Sequence, residues 1–561
     1  MGRAQDLNGG HDMVETITEA DIAGAERLLG LAYTAKERAQ MVGNLDGQRD
    51  LMIARRDLRL DNGTPMACRF DPRLPGFAMP HGIDALHPSE ITAPLPSEPE
   101  DIAFAPLTNL SHWVRSGQIS SRALTDLYLA RIELLNPRLE CFATVTPDLA
   151  RAEADAMDAL LGAGVWLGPL HGIPYGLKDL FDTRGITTGW GAEPFQNRVP
   201  DSDAAVTTRL RAAGAVLLGK TTVGALAYND LWYGGWTRNP WNLNEGSSGS
   251  SAGSASATAG GLCGFSIGTE TLGSITSPSQ RCGTTGLRPT FGRVSRVGAM
   301  ALCWSLDKVG PICRSVEDTA LVLAAINGGD VRDRGSIAAP FHFDARAGIE
   351  GMTLGYLPEA FEDGATDVDR AALAAAKDLG IKVKEVTLED LPYASLMTVV
   401  YAEAAAAFEA LTLEDTDDTL RWQDDGAWPN TFRKARFVSA VDLVQTDRLR
   451  YRVMQALGEM MSGVDALIGP FSTGPMLVAS NFTGHPCLHL RAGFEDIASR
   501  SMASLGAGKL TTGDAAGETT FTVPQGISLW GQLFDEGPLL NLGMALEKKL
   551  GVADRRPTFP N

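Results

Sequence analysis

The chain has 561 residues, of which 44% are hydrophobic and 21% charged, so it can bury a large core and divide into more than one lobe. Its net charge of −19 repels the phosphates of nucleic acids, which argues against a nucleic-acid-binding function. No apolar run is long enough to span a bilayer, and the first residues lack the apolar stretch of a secretory signal, so we expect neither membrane insertion nor secretion.

The seven cysteines are scattered through the chain without a Cys-x-x-Cys pair. An odd number in so long a chain does not suggest a disulfide framework, and a reducing cytoplasm is the expected compartment. Histidine clusters are absent, and His485 and His489 are interpreted as packing or surface residues. We therefore assign no metal site.

Residues 1–64 are predicted to form an α-helical N-terminal arm. The segment TEADIAGAERLLGLAY begins with Thr18 and Asp21, and TAKERAQMVGNLDGQRDLMIARR begins with Thr34 and Glu37. In both segments the threonine and the acidic residue have the spacing of a capping box, which marks a helix N-terminus. The two amphipathic helices are too short to be stable alone, so we expect their apolar stripes to pack on the rest of the protein or on a second subunit.

A proline-rich stretch follows the arm. Eight prolines fall between Pro65 and Pro99, and this composition resists regular structure. Residues 65–103 are therefore predicted to be an extended linker. A catalytic domain is predicted at residues 104–552, followed by a C-terminal tail at residues 553–561.

The predicted catalytic domain begins with an amphipathic helix in SSRALTDLYLARIELLNP, with Ser120 or Ser121 as N-cap and Pro137 as its stop. Further along, short apolar runs such as GAVLLGK and VDALIGPF alternate with helical stretches such as VEDTALVLAAI and LLNLGMALEKKL. This alternation favours an α/β fold with a largely buried sheet. Residues 496–520 are rich in Ser, Gly, Ala and Thr and are interpreted as a long surface loop.

Lys178, Ser250 and Ser274 are the candidate catalytic residues. Lys178 lies in HGIPYGLKDLFDT and Ser250 in GSSAGS, while Ser274 lies in TLGSITSP, 24 residues after Ser250. A serine hydroxyl is a poor nucleophile until a base removes its proton, and no histidine lies in or near the Gly/Ser-rich region. A Ser-His-Asp triad stays open because its members join in space, but a lysine whose pKa is lowered by its surroundings can serve as the base instead.

Four segments carry a resemblance to a known family: GIPYGLKD, NPWNLNEGSSGSSAGSASA, GTETLGSITSPSQRCGTTGLRPTFGRVSR and WSLDKVGPICRSVEDTALVL. Together they resemble the amidase signature family over roughly residues 104–552. The resemblance implies the amidase signature fold, a mixed and mostly buried β-sheet flanked by helices. It also implies that Lys178 is the base, that Ser250 is a bridging serine in a cis peptide, and that Ser274 is the nucleophile that accepts the acyl group.

The activity implied by the resemblance is hydrolysis of a carboxylic amide to an acid and an amine or ammonia, without a cofactor. In this cycle Lys178 takes a proton from Ser250 while Ser250 takes the proton of Ser274, and the same relay later protonates the leaving amine. The backbone N–H groups around the nucleophile would form the oxyanion hole. The four donors expected there are those of Thr271, Leu272, Gly273 and Ser274.

The nucleophile loop departs from the family's usual GTDTGGSIR. Glu270 replaces the aspartate, Leu272 a glycine and Thr276 an arginine. The acid at position 270 normally pairs with the replaced arginine, and Arg281 is considered as its substitute. Leu272 keeps its backbone N–H but adds a side chain that can narrow the acyl pocket. These changes affect the expected substrate range more than the expected activity.

Three functions are compared for the chain. The first is a stand-alone amidase acting on a small-molecule amide such as an aryl amide, a carbamate or a peptide amide, as a monomer or a homodimer. The second is the amidase subunit of a tRNA-dependent amidotransferase, and the third is a catalytically silent scaffold member of the family. Four aromatic residues are proposed to line the substrate pocket: Trp190, Tyr228, Trp232 and Tyr233.

Overall fold

An eleven-stranded mixed sheet runs through the computed structural model, which describes residues 16–362, 364–471, 473–500 and 519–559. The strands are β1 Ala85–His87, β2 Phe142–Val145, β3 Pro174–Lys178, β4 Val216–Thr221, β5 Leu231–Trp232, β6 Gly235–Trp236, β7 Arg238–Asn239, β8 Asn242–Gly246, β9 Phe265–Glu270, β10 Thr285–Arg288, β11 Lys308–Cys313, β12 His342–Asp344, β13 Thr353–Tyr356, β14 Lys382–Glu385, β15 Ala466–Pro470, β16 Cys487–Ala498 and β17 Thr520–Gly531. The order in the large sheet is β14-β13-β15-β17-β16-β10-β11-β9-β3-β4-β2. Parallel and antiparallel neighbours both occur, which confirms the mixed sheet that the sequence predicts.

Helices connect the strands and flank the sheet. They are α1 Glu19–Leu29, α2 Ala35–Asp57, α3 Pro99–Ala103, α4 Leu107–Arg115, α5 Ser121–Leu139, α6 Pro147–Gly162, α7 Ala205–Ala212, α8 Ala252–Ala259, α9 Thr276–Cys282, α10 Val316–Ile326, α11 Asp367–Lys377, α12 Met397–Ala407, α13 Glu409–Leu413, α14 Trp428–Ala435, α15 Ala440–Met461, α16 Met476–Thr483 and α17 Glu536–Leu550. The predicted strands in GAVLLGK and VDALIGPF are β4 and β15, and the predicted helices in VEDTALVLAAI and LLNLGMALEKKL are α10 and α17.

Five strands of the large sheet are buried over their whole length. Every residue of β3, β4, β9, β11 and β15 is buried. A strand covered on both faces has no reason to alternate apolar and polar residues, so its sequence is a continuous run of apolar and small residues. This is why the short apolar runs of this chain indicate strands.

Strands β3 and β9 bring the candidate residues to one edge of the sheet. The two strands are parallel neighbours, with Leu177 opposite Ile267. The carboxyl ends of parallel strands lie at the same edge, so Lys178 at the end of β3 comes close to Thr269 near the end of β9. Helix α8 begins at Ala252, directly after the loop that carries Ser250. Lys178, the end of β9 and the loop that carries Ser250 therefore lie at the same edge of the sheet.

The N-terminal arm consists of α1 and α2, and both predicted capping boxes are confirmed. Thr18 and Asp21 cap α1, and Thr34 and Glu37 cap α2. The expected cover over the apolar stripes is incomplete: α2 buries none of its residues, and Leu28 is 63% exposed. Ion pairs hold the arm instead, between the two helices and from α2 to α13: Arg38 to Glu26 at 2.7 Å and Arg55 to Glu409 at 2.6 Å.

The proline-rich segment lies against the catalytic part of the chain, and we call residues 62–98 the strap. Asn62 exchanges two hydrogen bonds with the backbone of Ala301, both 2.8 Å long. Further along, β1 pairs in parallel with β12. The strap contains no helix and is fixed at several points, whereas the last residues of the linker predicted at 65–103 form helix α3.

Two sequence-based boundaries need correction. Pro137 does not stop α5, because the helix continues to Leu139 and is capped by Glu140 in the left-handed conformation. A proline costs one backbone hydrogen bond, and here the buried Leu135 and Leu139 hold the last turn in place. The loop predicted at residues 496–520 is shorter than expected, since β16 extends to Ala498 and β17 starts at Thr520. Residues 501–518 lie outside the described residues.

Within the described ranges, no helix combines the length and the apolar composition that crossing a membrane requires. All seven cysteines belong to the described ranges, and each is free. Six of them are buried and Cys68 is exposed.

Deletion of residues 1–57 is expected to lower stability only slightly. It removes α1 and α2, whose link to α13 is a partly exposed ion pair worth about 0–1 kcal/mol. Deletion of residues 1–98 removes the strap as well and exposes apolar surface, so we expect a clearly lower Tm. A serine-reactive fluorophosphonate should label Ser274 in both truncated proteins. A truncated protein that unfolds cooperatively but is not labelled would show that the arm or strap helps to build the catalytic site.

Candidate active site

Lys178 ends β3 with its amine completely buried among oxygen atoms. Its Nζ lies 2.9 Å from Ser250 Oγ and 2.9 Å from Ser251 Oγ. It also lies 2.8 Å from the hydroxyl and 3.3 Å from the carbonyl oxygen of Thr269. These contacts fix the amine between the Gly/Ser-rich loop and the end of β9.

Burial lowers the pKa of Lys178 well below its ordinary value, because a charged ammonium loses its hydration there. The carboxylates of Asp307 and Glu270 raise this pKa, but neither forms an ion pair with the lysine and burial outweighs them. A neutral amine can accept a proton, so this shift favours the protonation state that a general base requires.

Ser250 has a hydroxyl that can give a proton to Lys178. The neighbouring Ser251 Oγ already donates to the carbonyl of Thr269 at 3.1 Å. Among the residues that the structure describes, Ser250 Oγ has only Lys178 Nζ as a hydrogen-bond partner. Its proton is therefore available for transfer to the amine.

The loop that carries Ser250 needs small residues because other backbone segments pass directly against it. The Gly249–Ser250 peptide bond is cis. A Cβ atom at Gly249 would overlap the carbonyl oxygen of Asn229, and one at Gly253 would overlap that of Cys141. The stretch GSSGSSAGSASATAGG, which resembles a flexible linker in composition, is thus a tightly packed part of the site.

Ser274 lies between β9 and α9 and is 8% exposed. It lines a cavity of ≈ 520 Å³, together with Leu272 and Thr271. Ser274 Oγ forms no hydrogen bond with the part of the chain that the structure describes, so it can turn toward a substrate or toward Ser250. Catalytic hydrogen bonds are often incomplete without substrate and form in the complex.

The backbone around Ser274 presents unused donors. Within the described residues, the N–H groups of Thr271, Leu272, Gly273 and Ser274 have no hydrogen-bond acceptor. Most N–H groups in a protein interior are paired, so four consecutive unpaired donors beside a cavity are unusual. They are available for an oxygen atom that becomes negative during a reaction.

Glu270 holds the segment after the nucleophile. One of its carboxylate oxygens accepts hydrogen bonds from the backbone of Ile275 and from the backbone and hydroxyl of Thr276, at 2.9–3.1 Å. The other accepts from Arg288 at 2.7 Å and from Asn481 at 3.0 Å. Burial raises the pKa of Glu270, but Arg288 and these hydrogen bonds outweigh burial and leave the pKa at about 2.

Arg288 on β10, not Arg281, is the cation that compensates for Thr276. The expectation for Arg281 is wrong because that side chain lies 3.6 Å from Glu245 and not at Glu270. Thr276 keeps a smaller role, since its hydroxyl still donates to Glu270. Sequence spacing could not identify Arg288, because the ion pair joins two different strands of the sheet.

Replacement Glu270→Gln is expected to lower the free energy of unfolding at pH 7 by roughly 3–5 kcal/mol, because it leaves the buried Arg288 without its counter-ion. The folded-state pKa of about 2 lies below the unfolded value of about 4.3, so the charged carboxylate contributes stability above the unfolded pKa. This contribution disappears as the pH falls through 4 toward 2. The difference between wild type and variant should therefore shrink in that range, as measured by denaturant unfolding at several pH values. The exposed Glu385→Gln is the control, and a difference that does not change with pH would contradict this role for Glu270.

Of the four proposed aromatic pocket residues, the structure places Tyr228 on the cavity. Trp190 lies in the core instead, 4.6 Å from the ring of Phe195 and 4.5 Å from the guanidinium of Arg198. Trp232 and Tyr233 pack against each other at 4.8 Å and are not on the lining of this cavity. They belong to a short hairpin whose own packing uses their rings.

Much of the remaining cavity wall comes from α12, α14 and the residues around them. These residues were not found from the sequence: Met397, Val400, Tyr401, Trp428, Thr431, Lys434, Ala435 and Val438. They follow Ser274 by more than a hundred residues and carry no motif. Only their apolar helical pattern is visible in the sequence, and that pattern equally predicts core packing.

Comparisons with known proteins agree with this geometry. A family model described as Amidase matches residues 123–540. One subunit of the glutamyl-tRNA(Gln) amidotransferase of Roseiflexus sp. (strain RS-1) is 33% identical over 479 residues, which are 79% of this chain and 96% of that protein. The protein of the same description from Hahella chejuensis (strain KCTC 2396) is 35% identical over 482 residues, 80% of this chain and 97% of that protein.

A solved structure is similar over nearly its whole length. The native peptide amidase from Stenotrophomonas maltophilia superimposes with a TM-score of 0.68 and is 28% identical, covering 82% of this chain and 99% of that one. The arm and the strap precede the part of the chain that the family model matches.

Proposed function

This chain belongs to the amidase signature family, and we propose that it hydrolyses a carboxylic amide through an acyl-enzyme on Ser274. The contact that carries the proposal is the 2.9 Å hydrogen bond between Lys178 and Ser250. This hydrogen bond joins a buried lysine of lowered pKa to a serine whose proton is not donated elsewhere in the described residues. Ser274 lines a cavity at the same edge of the sheet.

The proposed reaction begins with proton transfer. Neutral Lys178 takes the proton of Ser250, Ser250 takes that of Ser274, and Ser274 Oγ attacks the carbonyl carbon of the amide. The unpaired N–H groups from Thr271 to Ser274 stabilise the oxyanion, and one such donor is typically worth about 2.7–4 kcal/mol. The relay then returns its proton to the leaving amine. Water repeats the sequence on the acyl-enzyme and releases the acid.

We favour a stand-alone amidase because the cavity suits an organic amide. Its wall includes the apolar Met397, Val400 and Val438 and the rings of Tyr228 and Trp428. The similarity to a peptide amidase over 99% of that chain supports the same interpretation.

A second candidate is the amidase subunit of a tRNA-dependent amidotransferase. The curated relatives support this candidate better than the stand-alone amidase, since two of them carry that description and match over 96% and 97% of their length. In this case the chain would work with partner subunits.

Two experiments separate the candidates. The protein purified alone should hydrolyse simple aryl or peptide amides if it is a stand-alone amidase. Stable co-purification with a second subunit, together with amide hydrolysis that requires that subunit, would support the amidotransferase. A protein whose Ser274 is not labelled by a fluorophosphonate, and which hydrolyses nothing with or without a partner, would instead be a silent member of the family.

A further inference from the structure

A second, smaller cavity of ≈ 180 Å³ adjoins the cavity that contains Ser274, and we call it the side chamber. Three residues line both cavities: Ala227, Thr271 and Leu302. The two spaces therefore share a wall, and this wall includes the loop of the nucleophile. The side chamber thus lies next to the space in which a substrate would contact Ser274.

The outer wall of the side chamber is built by the strap. Asn62, Met66 and Arg69 line it, opposite residues of the loop before β11. The strap is anchored at both ends of this wall. Asn62 is bonded to Ala301, and the ring of Phe70 lies 3.4 Å from the guanidinium carbon of the buried Arg450. The chamber is therefore a fixed feature of this chain, built in part by residues that precede the family match.

The lining of the side chamber is positively charged in a protein of net charge −19. It contains four arginines and Lys308, but only two carboxylates, those of Asp307 and Asp333. Two arginines have acidic partners: Arg296 with Asp333 at 2.9 Å and Arg332 with Asp330 at 2.8 Å.

The other two arginines are not neutralised. Arg69 and Arg334 donate only to backbone carbonyls, those of Arg334 and Ala67, both at 3.3 Å. No carboxylate within the described ranges pairs with either guanidinium. Both side chains are exposed, so they lie where the chamber meets solvent. Planar guanidinium groups recognise carboxylates with two parallel hydrogen bonds, so a chamber lined by two arginines without acidic partners favours a carboxylate over a neutral group.

The inner end of the chamber lies on the side of the proton relay. Thr269 lines the chamber, and its hydroxyl lies 2.8 Å from Lys178 Nζ. The leaving nitrogen of an amide must receive its proton from the proposed relay, so we place the amine half of the substrate toward Lys178 and the side chamber. The acyl half then occupies the larger, apolar cavity.

We propose that the side chamber binds a carboxylate on the amine half of the substrate, held by Arg69 and Arg334, so that the enzyme prefers N-acylated amino carboxylic acids. This inference rests on the proposed amide hydrolysis and specifies its substrate class. A cavity of about 150 Å³ holds benzene, so the chamber accommodates an amino acid side chain or an aminobenzoate ring. Hydrolysis breaks the C–N bond, leaving the acyl group on Ser274 and the amino acid in the chamber.

The kinetic test compares 4-acetamidobenzoate with acetanilide, which differ only in the carboxylate. We expect wild type to have the higher kcat/KM for 4-acetamidobenzoate, and this preference to weaken as salt is added, because exposed charges are screened. The double variant Arg69→Gln/Arg334→Gln should lose roughly fivefold to twentyfold of the preference. The control is Arg59→Gln, an exposed arginine of the same region that pairs with Glu414 and does not line the chamber, and it should keep the preference.

A binding experiment tests the carboxylate site without requiring that the protein hydrolyse any substrate. Calorimetry on the Ser274→Ala protein should show that 4-aminobenzoate binds at least fivefold more tightly than aniline, and that the double arginine variant removes the difference. The carboxylate site would be overturned if 4-aminobenzoate and aniline bind equally well, or if 4-aminobenzoate binds equally well with and without the two arginines. This holds even if amides are hydrolysed at Ser274. If 4-aminobenzoate binds only when both arginines are present, but the wild-type protein hydrolyses no amide, the carboxylate site is supported and the proposed function is refuted.

Discussion

Replacement Ser274→Ala should reduce amide hydrolysis by a factor on the order of 10⁶, the loss measured when the nucleophile of a serine hydrolase is removed. The variant retains the backbone N–H groups of the loop, but it has no atom that can accept the acyl group. The fold should not change, because Ser274 Oγ has no hydrogen bond to any residue that the structure describes, and the loop is held by Glu270 through the backbone of Ile275 and Thr276.

The measurement is kcat/KM on any amide that the wild type hydrolyses, accompanied by a thermal unfolding curve. Ser277→Ala is the matched control, since it removes a nearby hydroxyl that bonds to Ser248 rather than to the relay. We expect this control to retain activity within about tenfold, because one neutral hydrogen bond contributes about 1 kcal/mol. Undiminished turnover in Ser274→Ala with a normal unfolding curve would refute the acyl-enzyme.

The parts of the fold predicted most accurately from the sequence are those determined locally. The capping boxes at Thr18 and Thr34 involve atoms three residues apart, so the printed sequence contains the whole interaction. The buried strands β4 and β15 are equally visible, because two covered faces leave an unbroken apolar run. The prediction that α5 ends at Pro137 was wrong because tertiary packing of the last turn outweighed the local effect of the proline.

The candidate site was predictable only as far as its motifs extend. Lys178, Ser250 and Ser274 lie in segments that resemble a family, and the structure brings Lys178 and Ser250 together. The partner of Glu270 could not be predicted in this way, because Arg288 lies on β10 and β11 separates that strand from β9. The cavity wall from α12 and α14 was also missed, since its apolar residues have the same pattern as ordinary core residues.

The conformation of the strap could be predicted from the sequence, but its position on the protein could not. Its prolines predict extended chain, but they do not indicate which surface the chain follows. Asn62 and Phe70 determine this through contacts with Ala301 and Arg450, which lie more than two hundred residues away. The side chamber that these contacts close is consequently invisible in the sequence.

Replacement Lys178→Ala should lower kcat/KM nearly as much as removal of Ser274, because members of such a relay act as a unit and their losses are not additive. In the wild type only the neutral amine can accept a proton, so activity should rise with pH through the folded-state pKa of Lys178. Burial places that pKa well below the ordinary value, so the rise should occur at a lower pH than the titration of a solvent-exposed lysine.

The nearby buried Lys220 provides the comparison that identifies the base. Its pKa is lowered by burial to about 8, but its Nζ bonds to the carbonyl of Phe181 and the hydroxyl of Thr188, each at 2.7 Å, and to no serine. In Lys220→Met, the midpoint of the activity–pH curve should therefore stay where it is in wild type. If the midpoint moves in Lys220→Met, Lys178 is not the group that titrates.

Stability gives a second, independent readout of the same pKa. Because the folded-state pKa of Lys178 lies below the unfolded value of about 10.4, the unfolded chain binds more protons between these two values, and Lys178 makes stability rise with pH across that window. Lys178→Met removes this contribution while it keeps most of the side-chain volume. Denaturant unfolding should thus show a smaller gain in stability with rising pH for the variant than for the wild type. Identical pH dependence of unfolding in the two proteins would mean that Lys178 is charged in the folded state, and the neutral base on which the proposed mechanism depends would be excluded.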